Sequence, residues 1–339
     1  MSIEELINLA IALGTGIITA HVLTPLFMVL MRKKGIVRED CHKPGKPKVA
    51  YCGGIAIFLA FSTSILTVTV LFPYWRVELY TLWGTSAISF LIGLIDDLKI
   101  LKGEVKTALS VLPVIVIVLA AFLWPERIIL GRPRAPFVGR LRLTIMYWIL
   151  LPLAIAGPAN VVNMLDIMNG IMPLTSIMIL LSLSVASYLV ANPLGILASF
   201  TMMGALLGYY PYNKYPAKIF SGDSGSLMVG AFLGALAVLT RLELVVLIAL
   251  LPHLLNAFLI LSSTRSLKEH REIKARPLLV LEDGTLIPST DNKAPLSLTR
   301  LMLLIGGSAD EKEVIEAYML LQLTASILAI ITGWLVAIS

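Results

Sequence analysis

The sequence predicts an all-α integral membrane protein of about ten transmembrane helices, with its reactive polar groups gathered on one membrane face. Three observations carry this reading. Only 14% of the 339 residues are charged, 58% are hydrophobic and the mean hydropathy is +0.89; a soluble domain carries about 25% charged residues. Charge-free stretches recur, as from Leu6 to Met31 and from Val49 to Trp75, each near the ~20 apolar residues a helix needs to cross a bilayer. The unusual polar residues, finally, fall in alternate loops or at their borders.

Taken in order, the apolar runs place spans at residues 7–31, 49–73, 79–95, 107–124, 143–159, 171–191, 194–211, 225–240, 243–263 and 315–338. The first is too long for the apolar core of a cleavable signal and runs into Arg32-Lys33-Lys34 instead of a small-residue cleavage site. The eighth is short and glycine-rich. With ten spans, the odd-numbered loops hold 20 of the 27 Lys and Arg residues and the even-numbered loops 7. The positive-inside bias therefore puts the odd loops in the cytoplasm and both termini outside. Five of the outer charges sit in one segment, 127–142. Basic residues divided among short loops beside a membrane argue against a nucleic-acid partner. Cys41 and Cys52, both on the cytoplasmic side in this topology, imply no disulfide framework.

The whole of 1–339 reads as a single polytopic membrane domain, without internal repeats, carrying two excursions. Outside, the turn-rich segment 127–142 suits a small hairpin. Inside, 264–313 is the longest non-spanning stretch, and loops beyond about 15 residues are usually functional. Within it, Asp283-Gly284 between two apolar runs suits a tight hairpin turn, and 296–305 has the pattern of a short amphipathic helix.

The polar constellation lies on the odd loops. Asp96-Asp97 closes the third span and Lys106 opens the fourth. Asn160, Asn163, Asp166 and Asn169 follow at three-residue spacing and end in Gly170. Gly222-Asp223-Ser224-Gly225 opens the eighth span. The first loop adds Asp40, His42 and Lys43, and the ninth adds His270, Arg271, Lys274 and Arg276. Carboxylates with carboxamide oxygens suit a hard cation such as Mg²⁺. Basic side chains and a glycine-rich turn at a helix start suit phosphate. Together they are the components of phosphoryl transfer, and at a membrane surface the natural acceptor is a lipid phosphate.

Each piece alone has a plainer reading. Asp96-Asp97 suits a solvated helix end, the Asn160/Asn163 pair a polar contact between membrane helices, Asp223 or Ser224 a helix N-cap, and the basic loops topology alone. His21 and His253, within spans, suit packing. The Gly-Asp-Ser-Gly run mimics a serine-protease nucleophile but lacks the soluble β-barrel and the upstream His and Asp. An anion transporter would place ionisable residues near mid-membrane, where these spans carry essentially none apart from the two His. Another lipid-phosphate transferase, such as a CDP-alcohol enzyme, would need an Asp-Gly and Ala-Arg spacing that does not occur.

The ordered set resembles the polyprenyl-phosphate N-acetylhexosamine-1-phosphate transferases. The matching pieces are Asp40-Cys-His-Lys43 with Pro47 and Gly53-Gly54; Gly93-Leu-Ile-Asp96-Asp97-Leu98 with Lys106; Asn160 and Asn163 through Asn169-Gly170; and Phe220-Ser-Gly222-Asp223. The resemblance implies transfer of a sugar 1-phosphate from a UDP-N-acetylhexosamine to a polyprenyl or dolichyl phosphate, with release of UMP. It implies Mg²⁺ (or Mn²⁺) held by Asn163 and Asp223, and catalytic roles for Asp96, Asp97 and Lys106. Substrate contacts fall to Lys43, Asn160, Asp166, Asn169, Gly170, Gly222, His270, Arg271 and Arg276. The partners are the nucleotide sugar, the lipid phosphate and the bilayer, with a homodimer among the assemblies allowed. The membrane is the cell membrane or the endoplasmic reticulum. The ninth loop, without closely spaced histidines, leans to the eukaryotic and archaeal branch and hence to N-acetylglucosamine. Asp166, where that branch usually has alanine, follows the bacterial pattern instead.

The charge split generates a test of topology. Single cysteines introduced at 134 and 283, in a variant lacking Cys41 and Cys52, should label from opposite sides of sealed vesicles. Labelling from the same side overturns the ten-span arrangement.

Overall fold

A computed structural model describes residues 3–264 and 275–339. The chain runs α1 (Ile3–Lys33), β1 (Val37–Glu39), β2 (Lys48–Ala50), α2 (Gly54–Leu71), α3 (Arg76–Lys99), α4 (Gly103–Leu109), α5 (Val114–Leu123), β3 (Arg134–Ala135) and β4 (Gly139–Arg140). It continues through α6 (Ile145–Leu165), α7 (Ile171–Leu189), α8 (Pro193–Asn213), α9 (Gly222–Thr240), α10 (Glu243–Ala249), α11 (Leu251–Thr264), β5 (Leu278–Val280), β6 (Leu286–Pro288), α12 (Leu298–Gly306) and α13 (Glu311–Ala337). Among the described residues, nine helical segments are long and apolar enough to cross a membrane, α4 and α5 counting as one. A tenth arises if α10 and α11, bent by 68°, form one broken span. The protein is an all-α multi-pass membrane protein. Among the described residues its sheets are three separate two-stranded antiparallel pairs.

The glycine content of the predicted eighth span proves to be the reason for its position. The apolar window of α9 is 89% buried, against 22% for α1. It packs along α3 on one side and α6 on the other. Gly230 and Gly234 face the α6 backbone at Ala154, Pro158 and Ala159, where any Cβ would collide. Small residues let membrane helices approach to backbone contact, so α9 becomes the central post. The outermost helices instead expose apolar side chains such as Leu66, Val70, Leu119 and Phe122, as lipid-facing surfaces do.

Several boundaries differ from the sequence reading: α3 runs on to Lys99 beyond Asp96-Asp97, and the fourth span begins at Gly103 and is interrupted between α4 and α5. The second helix begins at Gly54, not near 49, because residues 48–50 pair with β1 in the register Val37↔Ala50 and Ala50 bridges to Ile219. The fifth span does not stop at 159; α6 runs on to Leu165 and so carries Asn160 and Asn163 on helix. The ninth breaks at Leu250. The expected hairpin in 127–142 forms as β3–β4. In the long excursion, β5–β6 turns at Gly284 with φ of +91° and α12 follows. A second apolar cluster, including Leu165, Leu278, Leu286, Leu303 and Tyr318, seats this excursion against the ends of α6 and α13. Asn256 joins it to the bundle, donating to the Met164 carbonyl (2.9 Å) and accepting from the Leu298 amide (3.0 Å). Cys41 is exposed and Cys52 buried, and both are free thiols.

The close approach of α3 and α9 is testable. A Cβ at Gly93 would collide with the backbone of Asp223 and Ser224, whereas one at Gly14 meets nothing within 4 Å. Gly93→Ala is expected to lower thermal stability in detergent by roughly 1–3 kcal/mol or more, the cost of overpacking. Gly14→Ala should be neutral or slightly stabilising, since alanine is the better helix former. Equal melting temperatures for the two variants would refute the contact.

Candidate active site

The site is organised by the first turn of α9. Gly222 adopts φ of +72°, a left-handed conformation open chiefly to glycine, and a Cβ there would lie 2.5 Å from an Asp97 oxygen. That conformation turns the following amides toward α3. Asp97 Oδ1 accepts from the Asp223 amide (2.7 Å); Oδ2 accepts from the Ser224 amide (3.1 Å) and hydroxyl (2.6 Å). A carboxylate from one helix thus caps the positive N-terminus of another. On the far side, the Gly53 and Gly54 amides donate to the carbonyls of Phe220 (2.8 Å) and Ser221 (2.7 Å), and the Phe220 amide donates to the Ala50 carbonyl (2.8 Å). Side chains at Gly54 or Gly93 would push the α9 terminus out of this cleft.

With Asp97 occupied in this way, Asp96 faces the remaining polar groups. Asp96 Oδ1 accepts from the Leu101 amide (2.5 Å), and Oδ2 lies 3.5 Å from Lys106 Nζ. Lys106 reaches Asp223 Oδ2 at 2.7 Å, so its ammonium bridges the two carboxylates. Asn163 Nδ2 donates to Asp223 Oδ1 (3.0 Å) and to Ser226 Oγ (2.8 Å). Asp96, Asp97 and Lys106 are buried and Asp223 is nearly so. Three acidic side chains share one ammonium in a poorly solvated pocket, so full ionisation of all three would leave a charge deficit that is costly without a counter-ion. A divalent cation matches that deficit. Among the described residues no three His, Cys, Asp or Glu side chains converge on a single metal position. The donor set fits a hard cation held by one carboxylate and one carboxamide, with remaining positions left for phosphate oxygens and water.

Asp166 caps the end of α6 beside this cluster and accepts a short hydrogen bond from the Ser221 hydroxyl. Burial pushes its carboxyl up to about 7 against the pull of that bond, and the charges of Asp223 and Asp97 act in the same direction as burial.

A second polar node stands beyond it. Lys43 Nζ pairs with Asp40 at very short range, with Glu311 Oε2 at 3.1 Å and with Asn169 Oδ1 at 2.7 Å. Asn169 Oδ1 also accepts from the Ala217 amide (2.7 Å), and its Nδ2 donates to Asp40 (3.2 Å). Gly170, with φ of +77°, begins α7 against Lys214 and Tyr210. Lys43 also stands over the Tyr215 ring at 4.7 Å.

The structure therefore brings together Asp96, Asp97, Lys106, Asn163, Asp223 and Gly222, with Asp166 at their edge, and gathers Lys43, Asn169 and Gly170 in the neighbouring node. Asn160 turns to another partner, donating to Ser110 Oγ and the Ala156 carbonyl (2.7 Å each), a link from α6 to the end of α4. Arg276 is exposed. His270 and Arg271 lie outside the described residues. Sequence reasoning missed Ser221, Ser226 and Glu311. Serines that only complete a neighbour's valence carry no pattern of their own. Glu311 lies in the 264–313 loop, ahead of the last predicted span, and belongs to none of the motifs.

Comparison with known proteins identifies the family. The pattern of glycosyl transferase family 4 matches residues 79–241. The chain is 30% identical over 245 residues to a phospho-N-acetylmuramoyl-pentapeptide-transferase of Clostridium beijerinckii, covering 69% of this chain and 74% of that protein. It is 29% identical over 245 residues to a Saccharolobus solfataricus protein provisionally named a UDP-N-acetylglucosamine–dolichyl-phosphate N-acetylglucosaminephosphotransferase, covering 70% and 73% of the two chains. A provisionally named glycosyltransferase of Methanocaldococcus jannaschii is 27% identical over 281 residues, 81% of this chain and 83% of its own. The chain belongs to glycosyl transferase family 4, within the polyprenyl-phosphate hexosamine-1-phosphate transferase superfamily.

Proposed function

We propose that this protein transfers N-acetylglucosamine 1-phosphate from its UDP-sugar to a polyprenyl or dolichyl phosphate in the bilayer, releasing UMP, with Mg²⁺ (or Mn²⁺) as cofactor. The observation that carries this reading is the pocket of Asp96, Asp97 and Asp223 around Lys106, with more acidic groups than cations, at one end of the membrane helices. We place that end in the cytoplasm, where nucleotide sugars are found, with both termini on the other side. The archaeal relative's name supports the choice of sugar and lipid; the bacterial relatives' names support the same reaction on a larger muramoyl donor.

In the reaction, an oxygen of the lipid phosphate forms a bond to the sugar-bearing phosphorus. The bond from that phosphorus to the bridging oxygen breaks, and UMP leaves with the electron pair. Bound Mg²⁺ supplies charge neutralisation across the diphosphate. Asn163 and Asp223 are the residues that would hold it. Lys106 offsets the charge of Asp96 and Asp223 and stands ready to stabilise phosphate charge in the transition state. Asp96, free of the helix-capping task of Asp97, orients the incoming lipid phosphate. That phosphate is largely ionised at neutral pH, so no strong base is required. Asn169 and Gly170 form the wall toward the nucleotide base, fixed in place by Lys43, Asp40 and Glu311. Arg276, exposed on the long excursion, is available to the donor's phosphates.

Purified protein with Mg²⁺ should release UMP from UDP-N-acetylglucosamine only when a polyprenyl phosphate is present, leaving a lipid product that retains the sugar phosphate. UMP release without lipid would indicate a hydrolase. Acceptance of a UDP-muramoyl-pentapeptide alone would reassign the donor, and no lipid-dependent release with any UDP-sugar defeats the proposal.

The two neighbouring aspartates should separate by readout. Asp223→Asn and Asn163→Ala are expected to lower turnover at least about 100-fold while stability falls by only about 1–2 kcal/mol, as for hydrogen bonds lost in a partly buried pocket. Asp97→Ala should instead cost about 3–5 kcal/mol of stability, because it strips three donors of their acceptor. A fully stable Asp97→Ala protein would remove the helix-capping role.

A further inference from the structure

The connection between α5 and α6 holds five arginines, at 127, 132, 134, 140 and 142. It lies at the end of the bundle remote from the acidic site. Glu78 pairs with Arg127 here, and Asp96 follows 18 residues later on the same helix, about 27 Å away. Arg127 is accounted for: it donates to both Glu78 oxygens at 2.9 Å and stacks on Tyr74 at 4.0 Å. The other four are not.

The hairpin register places Arg134 opposite Arg140. The Leu141 amide donates to the Pro133 carbonyl and the Leu143 amide to the Gly131 carbonyl, each at 2.9 Å. These bonds extend the ladder and set Arg132 opposite Arg142. Alternation along a strand then puts all four on one face. Both are non-hydrogen-bonded pairs, in which facing side chains approach most closely, and like charges directly opposite destabilise a ribbon. Arg241, ending α9, joins the group through its carbonyl, which accepts from the Arg134 amide (3.3 Å). Among the described residues no carboxylate forms an ion pair with any of these five. The neighbouring acid, Glu243, accepts from the Tyr147 hydroxyl at 2.6 Å. Arg134 Nε is buried without a partner. Burial first, and then Arg140 with Arg241, holds Arg134 below its ordinary value; burial, then Arg140 with Arg132, does the same for Arg241.

A ribbon built this way needs an anion, and its surroundings say which kind. Arg132 and Arg142 line a crevice of about 790 Å³ whose other walls include Val118, Phe122, Ile145 and Trp148. Phe122 and Ile145 are 81% and 77% exposed on the outer surface of candidate membrane-spanning helices. An inorganic ion has no use for such walls, whereas a lipid presents phosphate and hydrocarbon together. We propose that this crevice binds an anionic phospholipid of the surrounding bilayer, its phosphate between Arg132 and Arg142 and its chains along α5 and α6. The site is independent of the transfer reaction.

Native mass spectrometry of the full chain in neutral detergent, titrated with phosphatidylglycerol or phosphatidylcholine, tests it. Phosphatidylglycerol should be retained preferentially. Arg132→Gln/Arg142→Gln should reduce that preference about 30-fold, the loss expected for two cations at a headgroup. Arg132→Lys/Arg142→Lys should keep most of it, and Lys33→Gln/Lys34→Gln should leave it unchanged. Equal retention of the two lipids by the unaltered protein, or an undiminished preference in the glutamine variant, overturns the proposal. So does displacement of the lipid by millimolar inorganic phosphate, which would mark a site for the free ion.

Discussion

The carboxylate of Asp97 on the first turn of α9 is the contact from which the rest of the site takes its geometry. It fixes the end of the most buried helix against α3, and it does so with both oxygens. Asp223 therefore enters the pocket from a backbone that cannot shift. Gly54, Gly93 and Gly222 are the condition for this contact, since each lies where a Cβ would fall on α9 or on Asp97 itself. A motif that looks catalytic throughout is thus partly architectural, and its two adjacent aspartates are not interchangeable.

The same division runs through the lysines. Lys106 sits between Asp96 and Asp223 in a pocket with more acids than cations, whereas Lys43 is surrounded by Asp40, Glu311 and Asn169. At the opposite end of the bundle the imbalance is reversed in sign, with arginines outnumbering acids. A bilayer tolerates uncompensated charge only at its surfaces, and both concentrations lie at helix ends.

Much of this was legible in the sequence because a bilayer imposes a length on apolar runs. The span count and the hairpins at 127–142 and 278–288 followed from that rule and from turn residues. The ordered polar motifs pointed to Asp96, Asp97, Lys106, Asn163 and Asp223, which do meet. The break at Leu250 was not legible, since residues 243–263 are apolar on both sides of it. Nor was the β1–β2 pair, whose three-residue strands are too short to show a period. Asn160 and Asn163 share a helix face by spacing, yet one reaches Ser110 and the other Asp223. Helical periodicity gives a direction but not a distance, and only the packing of α4 and α9 separates those fates. Glycine was misleading in one place: in α9 it reads as a weak span and is instead what admits that helix to the centre.

The node around Lys43 also bears on how the protein is made. Its acids come from positions 40 and 311, and its carboxamide from position 169. During synthesis Lys43 and Asp40 emerge early, Asn169 midway, and Glu311 only with the last helix. Until that helix is inserted, the wall beside the pocket lacks the carboxylate that holds both Lys43 and the Asn169 amide. Nascent chains stalled before that point carry all the acidic residues of the pocket, while the node beside it still lacks its last partner.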